Sequence, residues 1–401
     1  MTTLTKVSTA LAALKAGGLI IVADDESREA EGDLVGLASE VTPATVNRMI
    51  TSARGLLCVP LAPSVADRLH LTPMTTSHDA FGTAFTVSTD HQSTTTGISA
   101  PDRAKTIRAL ADDKSQPGDF YHPGHIFPLI ARSGGVFTRR GHTEAAVDLA
   151  RLAGSSPVAY ICEIIKKNGT MARRRDLKAL AEGLEIPMIT VTDIVNYRLQ
   201  VDRPTLTTTP TVDLPTSHGH FQLTGMQLPG DDQLPLALQI GDISTDEPVL
   251  VRLHSECLTG DVFGSQRCDC GQQLQAALDQ LNQVGRGVLL YLRQEGRGIG
   301  LANKLRAYQL QEQGYDTYDA NVKLGFQPDA RRYDQAVLML RQLGLTKIRL
   351  MTNNPDKVAQ LTAAGMEVVE RVPLEVPATA SDQRYLQTKR DKFHHHITQS
   401  I

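Results

Sequence analysis

The sequence predicts an α/β (α+β) protein made of two unrelated mixed α/β domains in tandem. Three observations carry this: the length, the alternation of short apolar runs with helical periodicity, and a change of texture near residue 203. At 401 residues the chain exceeds the roughly 100–200 residues of one ordinary domain. No internal repeat relates the two halves. The reading places one domain at 1–202 and the other at 203–401.

In the first half, Leu19–Ala23 reads as a buried strand. His142–Ala153 reads as a helix with Ala145, Ala146, Leu149, Leu152 and Ala153 on one face, stopped by Gly154. Strand Pro157–Ile165 follows, and the alternating pattern ends at Ile189–Ile194. Asp202–Pro215 has three prolines and five threonines with no period, the texture of an exposed linker. Beyond it, Phe221–Leu223, Leu236–Ile240 and Val249–Leu253 read as strands leading into a mixed α/β stretch.

Apolar residues make up 41% and charged residues 21%, which excludes a disordered or fibrous chain. The longest apolar runs, such as Gly18–Val22 and Gly287–Leu292, fall far short of the roughly 20 residues that span a bilayer. Met1–Val7 lacks the layout of a secretory signal, so a cytoplasmic location is expected. The five cysteines are odd in number and three cluster, which favours a thiolate metal site over a disulfide framework. A net charge of -3 gives no general reason to bind nucleic acid and suits small phosphorylated ligands better. His394–His396 reads as part of a polar tail.

Asp24–Asp33 packs six carboxylates and one arginine into ten residues after an apolar strand. Such density repels itself unless a cation or an arginine neutralises it; a solvated acidic loop is the plain alternative. Arg139-Arg-Gly-His-Thr-Glu-Ala145 puts arginines, a glycine and a histidine at a helix start, where free N–H groups and the dipole favour phosphate. Tyr121–Pro128 adds two histidines on a proline-glycine turn. Glu163 lies in an apolar strand, where a carboxylate is costly to ionise unless paired. That suits either proton transfer or a buried ion pair.

On these motifs, in this order, residues from about 5 to 200 resemble 3,4-dihydroxy-2-butanone 4-phosphate synthase. The resemblance implies cleavage of ribulose 5-phosphate to formate and the butanone phosphate, with Mg2+ or Mn2+ on Glu29 and His142. It implies substrate contacts from Arg28, Glu29, Asp33, Arg139, Arg140, Gly141, His142, Thr143 and Glu163, and acid–base roles for His125 and Glu163. Ala30 stands where the family commonly has asparagine, His122 where it has arginine, and the 74–83 loop is short.

In the second half, Cys257, Cys268 and Cys270 form a Cys-x10-Cys-x-Cys pattern. Three thiolates supply three corners of a zinc tetrahedron, and a catalytic zinc keeps the fourth for water. The alternative makes His254 a fourth ligand and the zinc structural. The helix after Cys270 carries Leu274, Leu278 and Leu281 on one face, so its N-terminus helps keep thiolates ionised. Arg293–Leu301 reads as a glycine-rich turn into a helix, and Thr352–Lys357 repeats that strand–turn–helix design. Both suit anions, although capping alone explains Thr352 and Pro355.

His-Ser-Glu-Cys-Leu-Thr-Gly-Asp261, Cys268-Asp-Cys-Gly, Gln294-Glu-Gly-Arg-Gly-Ile-Gly-Leu and Leu350-Met-Thr-Asn-Asn-Pro, in this order, resemble GTP cyclohydrolase II from about 205 to 390. The resemblance implies zinc on the three cysteines and GTP contacts from Arg252, Leu253, His254, Ser255, Glu256, Gln273, Glu295, Gly296, Arg297, Thr317, Thr352 and Lys357. Asp329 is then the proton acceptor, Arg331 the nucleophile toward the α-phosphate, and Mg2+ accompanies the triphosphate. Tyr308 orients the base or packs. Ring opening at C8 releases formate, and a homodimer is implied.

Two other readings remain to be weighed. One is a nucleic-acid-binding zinc module, against which the net charge and the 4% aromatic content argue. The other keeps an efficient GTP cyclohydrolase II and makes the N-terminal half mainly a scaffold.

Overall fold

The computed structural model describes residues 3–25, 28–75, 82–202 and 204–398. Backbone contacts divide the chain between residues 202 and 203 into two compact units.

The first unit holds strands β1 (Ile20–Ala23), β2 (Gly32–Leu37), β3 (Cys58–Leu61), β4 (Thr89–His91), β5 (Phe120–Ile130), β6 (Ala159–Glu163) and β7 (Met188–Thr190) in the order β4-β5-β3-β6-β2-β1-β7. β1 and β2 are buried along their whole length, as befits strands covered on both faces. Their core includes Leu34, Val59, Ile107, Val147 and Tyr160. Gly36 is required there, because a Cβ would lie 2.4 Å from the Tyr160 ring.

β1 and β2 form an antiparallel hairpin, and β6 runs antiparallel to β2 with Asp33 opposite Glu163. The acidic loop, the start of β2 and the end of β6 therefore share one end of the sheet. The helix expected at 142–153 spans His142–Leu152. The strand expected at 157–165 is β6, Ala159–Glu163.

The expected turn around Pro123-Gly124 is instead absorbed in β5. Asp90 pairs with Tyr121 but its neighbour Thr89 pairs with Ile126, so the residues between form a bulge that re-aims the histidines. A Cβ on Gly124 would lie 2.1 Å from the Thr89 carbonyl carbon. Hence the glycine.

The second unit holds β8 (Thr207–Thr208), β9 (Val212–Thr216), β10 (Gly219–Gln227), β11 (Leu236–Ile240), β12 (Val249–Ser255), β13 (Gly287–Leu292), β14 (Lys347–Met351) and β15 (Glu367–Val372). The sheet order is β15-β14-β12-β13-β11-β10-β8, with β9 also on β10. Phe221, Leu250, Ala277, Leu281, Leu289 and Met351 form its core. β12 is parallel to β13 and to β14, so their carboxyl ends open one crevice, where α/β sheets hold ligands.

The segment read as a linker at 202–215 is a correction. β8 and β9 both pair antiparallel with β10, and Leu206 is buried. Threonine favours strands, and proline is tolerated at edges, so an edge hairpin has the composition of a linker. The polar tail is also corrected in part. His395 turns a ring nitrogen into the protein, and the His396 amide donates to the Asn353 carbonyl at 2.8 Å. No helix among the described residues is long and apolar enough to cross a membrane.

Candidate active sites

The acidic loop is organised around Asp24, the first residue after β1. Its buried carboxylate accepts the Glu29 and Glu31 amides at 3.2 and 3.1 Å and pairs with Arg28 at 2.9 Å. Arg28 also pairs with Glu29 at 2.7 Å. Glu26 of this loop lies outside the described residues. The helix beginning at His142 brings that ring in, and ligand atoms of Asp24, Glu29 and His142 all lie within 4.8 Å of one another. Two carboxylates and an imidazole fit Mg2+ or Mn2+. Asp24 was not singled out from sequence, although its place directly after an apolar strand was the available signal.

Asp33 is buried beside this cluster, with Oδ1 3.8 Å from His142 Nδ1. Burial pushes its carboxyl well above the usual range, reinforced by Glu163, Glu29, Glu31 and Asp24. Burial pushes the His142 imidazole down, against the pull of Asp24 and Glu29. His142 Nε2 and Asp33 Oδ1 have no hydrogen-bond partner. Excess buried negative charge and an orphaned imidazole nitrogen are what a divalent cation would relieve.

Arg139 pairs with Glu144 at 2.5 Å and reaches Thr83 Oγ1 at 3.0 Å. Gly141 caps the helix, and a Cβ there would lie 2.1 Å from Arg139 Nη1. Arg140 lies 3.6 Å from Asp25, and Thr143 is buried in the first turn. His125 Nδ1 is 2.6 Å from Asp90 Oδ2, a partner that sequence reasoning missed. Glu163 accepts the Leu56 amide at 2.8 Å and makes no ion pair among the described residues, which removes the buried-ion-pair alternative. His125 and Glu163 belong to strands separated by β3, about 10 Å of backbone. They are not in direct contact. Ala30 takes a left-handed φ of 56°, a conformation asparagine tolerates better than alanine. The 74–83 loop is described only in part, since 76–81 fall outside the described residues.

In the second unit Cys257 follows β12, and Cys268 and Cys270 precede and open the helix Cys270–Val284. The three Sγ atoms lie within 4.8 Å of one another, with Cys257 and Cys268 3.7 Å apart. Zinc–sulfur bonds of about 2.3 Å imply tetrahedral edges of about 3.8 Å, so the cluster fits zinc. His254 does not join it. Its Nε2 bonds Asp261 at 3.0 Å, Asp261 also accepts the Cys257 amide at 3.0 Å, and Tyr291 donates to Asp261 at 2.8 Å. His254 thus braces the cysteine loop, and the four-ligand structural set is not formed.

Lys304, also missed from sequence, donates to Cys257 Sγ at 3.1 Å and pairs with Glu295 at 2.7 Å. Hydrogen bonds from Cys268 and Cys270 hold the Cys257 thiol down, and Lys304 adds to this. The same sharing pushes Cys268 up to about 11 and Cys270 up as well. A cleft opens on the thiols, lined by Ser255, Glu256, Glu295, Gly296, Arg297, Thr317 and Arg331 among others. Gly296 and Arg297 both adopt left-handed backbone, φ 63° and 59°. Tyr308 bonds Thr259 at 3.1 Å on the cleft wall.

The other expected GTP contacts form a deeper layer. Arg252 bonds Gln273 at 2.7 Å and the Met351 carbonyl at 3.1 Å. Lys357 donates to the Leu253 carbonyl at 2.7 Å, and Thr352 accepts the Asn354 amide at 3.0 Å. Asn354 caps the helix Pro355–Ala363. Arg331 grips Asp329 by two nitrogens at 2.8 and 2.5 Å. Burial raises Asp329, but Arg331 outweighs it and the carboxyl sits at about 2.

Residues 8–197 match the 3,4-dihydroxy-2-butanone 4-phosphate synthase family, and 207–373 match GTP cyclohydrolase II. Over 391 residues the chain is 56% identical to riboflavin biosynthesis protein RibBA of Bacillus cytotoxicus, covering 97% of this chain and 98% of that one. The Bacillus cereus protein of that name gives the same figures. Among solved structures, RibBX, a two-domain 3,4-dihydroxy-2-butanone 4-phosphate synthase from A. baumannii, is 34% identical, with TM-score 0.69, 86% of this chain and 93% of its own covered.

The fold and sites thus define a bifunctional enzyme, a lyase joined to a hydrolase. The chain belongs to the riboflavin biosynthesis family in which 3,4-dihydroxy-2-butanone 4-phosphate synthase is fused to GTP cyclohydrolase II. It converts D-ribulose 5-phosphate to L-3,4-dihydroxy-2-butanone 4-phosphate and formate. It also hydrolyses GTP to 2,5-diamino-6-(5-phosphoribosylamino)pyrimidin-4(3H)-one, formate and diphosphate. The scaffold reading of the N-terminal half is not favoured.

Proposed function

We propose that residues 1–202 and 203–401 each form one complete catalytic domain, and that the two clusters above are their reaction centres. The observation that carries this is the convergence, in each half, of three side chains able to ligate a metal onto one point.

In the first domain Glu29 and His142, joined by Asp24, hold Mg2+ or Mn2+. Such a cation would polarise the ketone and neighbouring hydroxyl of ribulose 5-phosphate. Arg139, Arg140, Gly141 and Thr143 take the phosphate at the helix N-terminus. Arg28 and Asp33 fix the sugar hydroxyls, while Glu163 and the Asp90-oriented His125 move protons.

In the second domain Cys257, Cys268 and Cys270 hold zinc, which would supply a Lewis acid for water at C8 of guanine. Ser255, Glu256, Glu295, Gly296, Arg297 and Thr317 bind the nucleotide along the cleft. Arg252, Leu253, His254, Gln273, Thr352 and Lys357 form the layer beneath, and Mg2+ accompanies the triphosphate. Asp329 as proton acceptor and Arg331 as nucleophile must first leave each other, since their pairing makes one a weak base and the other a weak nucleophile. An arriving α-phosphate competes for Arg331 and so opens that pair.

Free, unpaired cysteines suit a reducing cytoplasm. Exposed Val262, Phe263 and Leu305 offer apolar area to a second copy, consistent with a homodimer; neither nucleic acid nor membrane is a partner.

Chelation tests the assignment, because Mg2+ is held through few protein ligands and zinc through three thiolates. Brief EDTA should silence ribulose 5-phosphate cleavage first, and Mg2+ should restore it. A ribulose 5-phosphate reaction indifferent to EDTA excludes Glu29 and His142 as metal ligands.

A further inference from the structure

Glu29 can serve as a metal ligand only if the loop carrying it keeps one conformation. Asp24 holds that loop by its amides, accepting from Glu29 and Glu31. Arg173, 144 residues further along the chain than Glu29, holds it by its carbonyls. Arg173 Nη1 donates to the Glu29 carbonyl at 2.5 Å and to the Ala30 carbonyl at 3.1 Å, and lies 3.9 Å from Glu31 Oε1. The turn gripped in this way includes Ala30 at φ 56°. Left-handed backbone at a residue other than glycine persists only where its surroundings over-determine it. Here a carboxylate and a guanidinium do so together.

Arg173 reaches the loop from a fixed base. The preceding Ala172 amide donates to the Ile164 carbonyl at 3.0 Å, and the Ile164 amide donates to the Gly32 carbonyl at 3.0 Å. The Arg173 amide donates to Asp176 Oδ2 at 3.0 Å as the N-cap of the helix Arg174–Leu184. Leu177 of that helix is buried against Gly32, where a Cβ would lie 2.6 Å from Leu177 Cδ1.

The helix itself does not account for this arginine. Arg173, Arg174 and Arg175 crowd three cations onto a helix N-terminus, the end that the dipole makes unfavourable for positive charge. Among the described residues, Arg173 alone of the three bonds the acidic loop. Its side chain is half-exposed, so packing does not fix it either. Two charge-assisted hydrogen bonds to carbonyls do.

We propose that Arg173 is a positioning residue for the first metal centre: its bonds to the Glu29 and Ala30 carbonyls hold the loop in the conformation that sets Glu29 beside Asp24 and His142, and so raise the centre's affinity for a divalent cation. This rests on the metal-centre reading above. Arg173 acts through the loop backbone and not on the cation. By charge alone, removing a guanidinium near a cation site would tighten cation binding. A weakening therefore reports on position.

The test is Mn2+ binding to the full-length, substrate-free protein, followed by electron paramagnetic resonance of free Mn2+, for wild type, Arg173→Met and Arg173→Lys, with Glu29→Gln marking the site. Losing a group that orients a metal ligand costs about 10–100-fold in affinity, so Arg173→Met should weaken Mn2+ binding about ten-fold. Arg173→Lys should fall between, since an ammonium keeps the charge but not the fixed geometry of a planar guanidinium. Amides of 29–31 should exchange faster in metal-free Arg173→Met than in the wild type. The Mg2+ concentration giving half-maximal formate release from ribulose 5-phosphate should rise by a like factor. Mn2+ affinity in Arg173→Met equal to or tighter than wild type overturns the proposal. So does a raised KM for ribulose 5-phosphate at saturating Mg2+ with Mn2+ binding unchanged, the pattern of a residue that touches substrate. Should Arg173→Met not melt cooperatively, Arg173→Lys decides alone, and wild-type Mn2+ affinity there overturns it. If Glu29→Gln binds Mn2+ as the wild type does, the metal-centre reading has failed and this inference with it.

Discussion

Asp33 and Glu163 stand directly opposite each other on β2 and β6, two carboxylates on adjacent strands beside the Asp24–Glu29–His142 cluster. Asp33 is buried, and burial first, then Glu163, pushes its carboxyl well above the usual range. The pair therefore sets a carboxyl that is costly to ionise beside the proposed metal centre. It also burdens the fold.

Asp33→Asn should make the metal-free protein more stable while abolishing ribulose 5-phosphate cleavage. A carboxyl raised in the folded state contributes stability fully present below its unfolded pKa, about 3.9, and lost as pH rises through the folded value. The variant's gain should thus be largest in neutral to alkaline buffer and vanish in acid. Each kcal/mol relieved is worth about 2–4 °C in Tm for a domain of this size. Thermal melts across pH without Mg2+ check it; equal or lower Tm at high pH contradicts it.

Ala30→Asn should stabilise the acidic loop. Ala30 sits at φ 56°, where alanine bears about 1–2 kcal/mol of strain that asparagine partly escapes. A gain of about 0.5–1 kcal/mol is expected in denaturant unfolding of the N-terminal domain. A loss would mean that the amide clashes with the Arg173 guanidinium, which bonds the Ala30 carbonyl at 3.1 Å.

Lys304→Met should shift zinc loading to higher pH. Removing this ammonium takes away part of what holds the Cys257 thiol down, the rest coming from Cys268 and Cys270. Protons then compete better with zinc at Cys257. Chelator competition should show about ten-fold weaker zinc binding near neutral pH, with the gap closing in alkali. An unchanged pH profile would make the Lys304–Glu295 pair purely structural.

Much of both sites was legible because each ligand set sits where strands end. Cys257, Cys268 and Cys270 are close in sequence, and one strand–loop–helix connection gathers them. Glu29 and His142 are far apart, and only their motifs linked them. Asp24 lay inside the acidic motif without standing out from its neighbours, whereas Asp90, Lys304 and Lys389 pair with residues far along the chain, which no local period records. The linker reading failed for a compositional reason, since an edge strand of threonine and proline resembles an exposed connection.

The most direct measurement of the central claim, two independent metal centres in one chain, is formate release from each substrate by Cys268→Ser and by Glu29→Gln. Serine is a poor zinc ligand at neutral pH, so Cys268→Ser should lose zinc and GTP turnover, melt normally and still cleave ribulose 5-phosphate. Glu29→Gln should do the reverse, keeping zinc and GTP turnover. Loss of both activities in either folded variant, or GTP turnover persisting in a protein shown to lack zinc, would contradict the account.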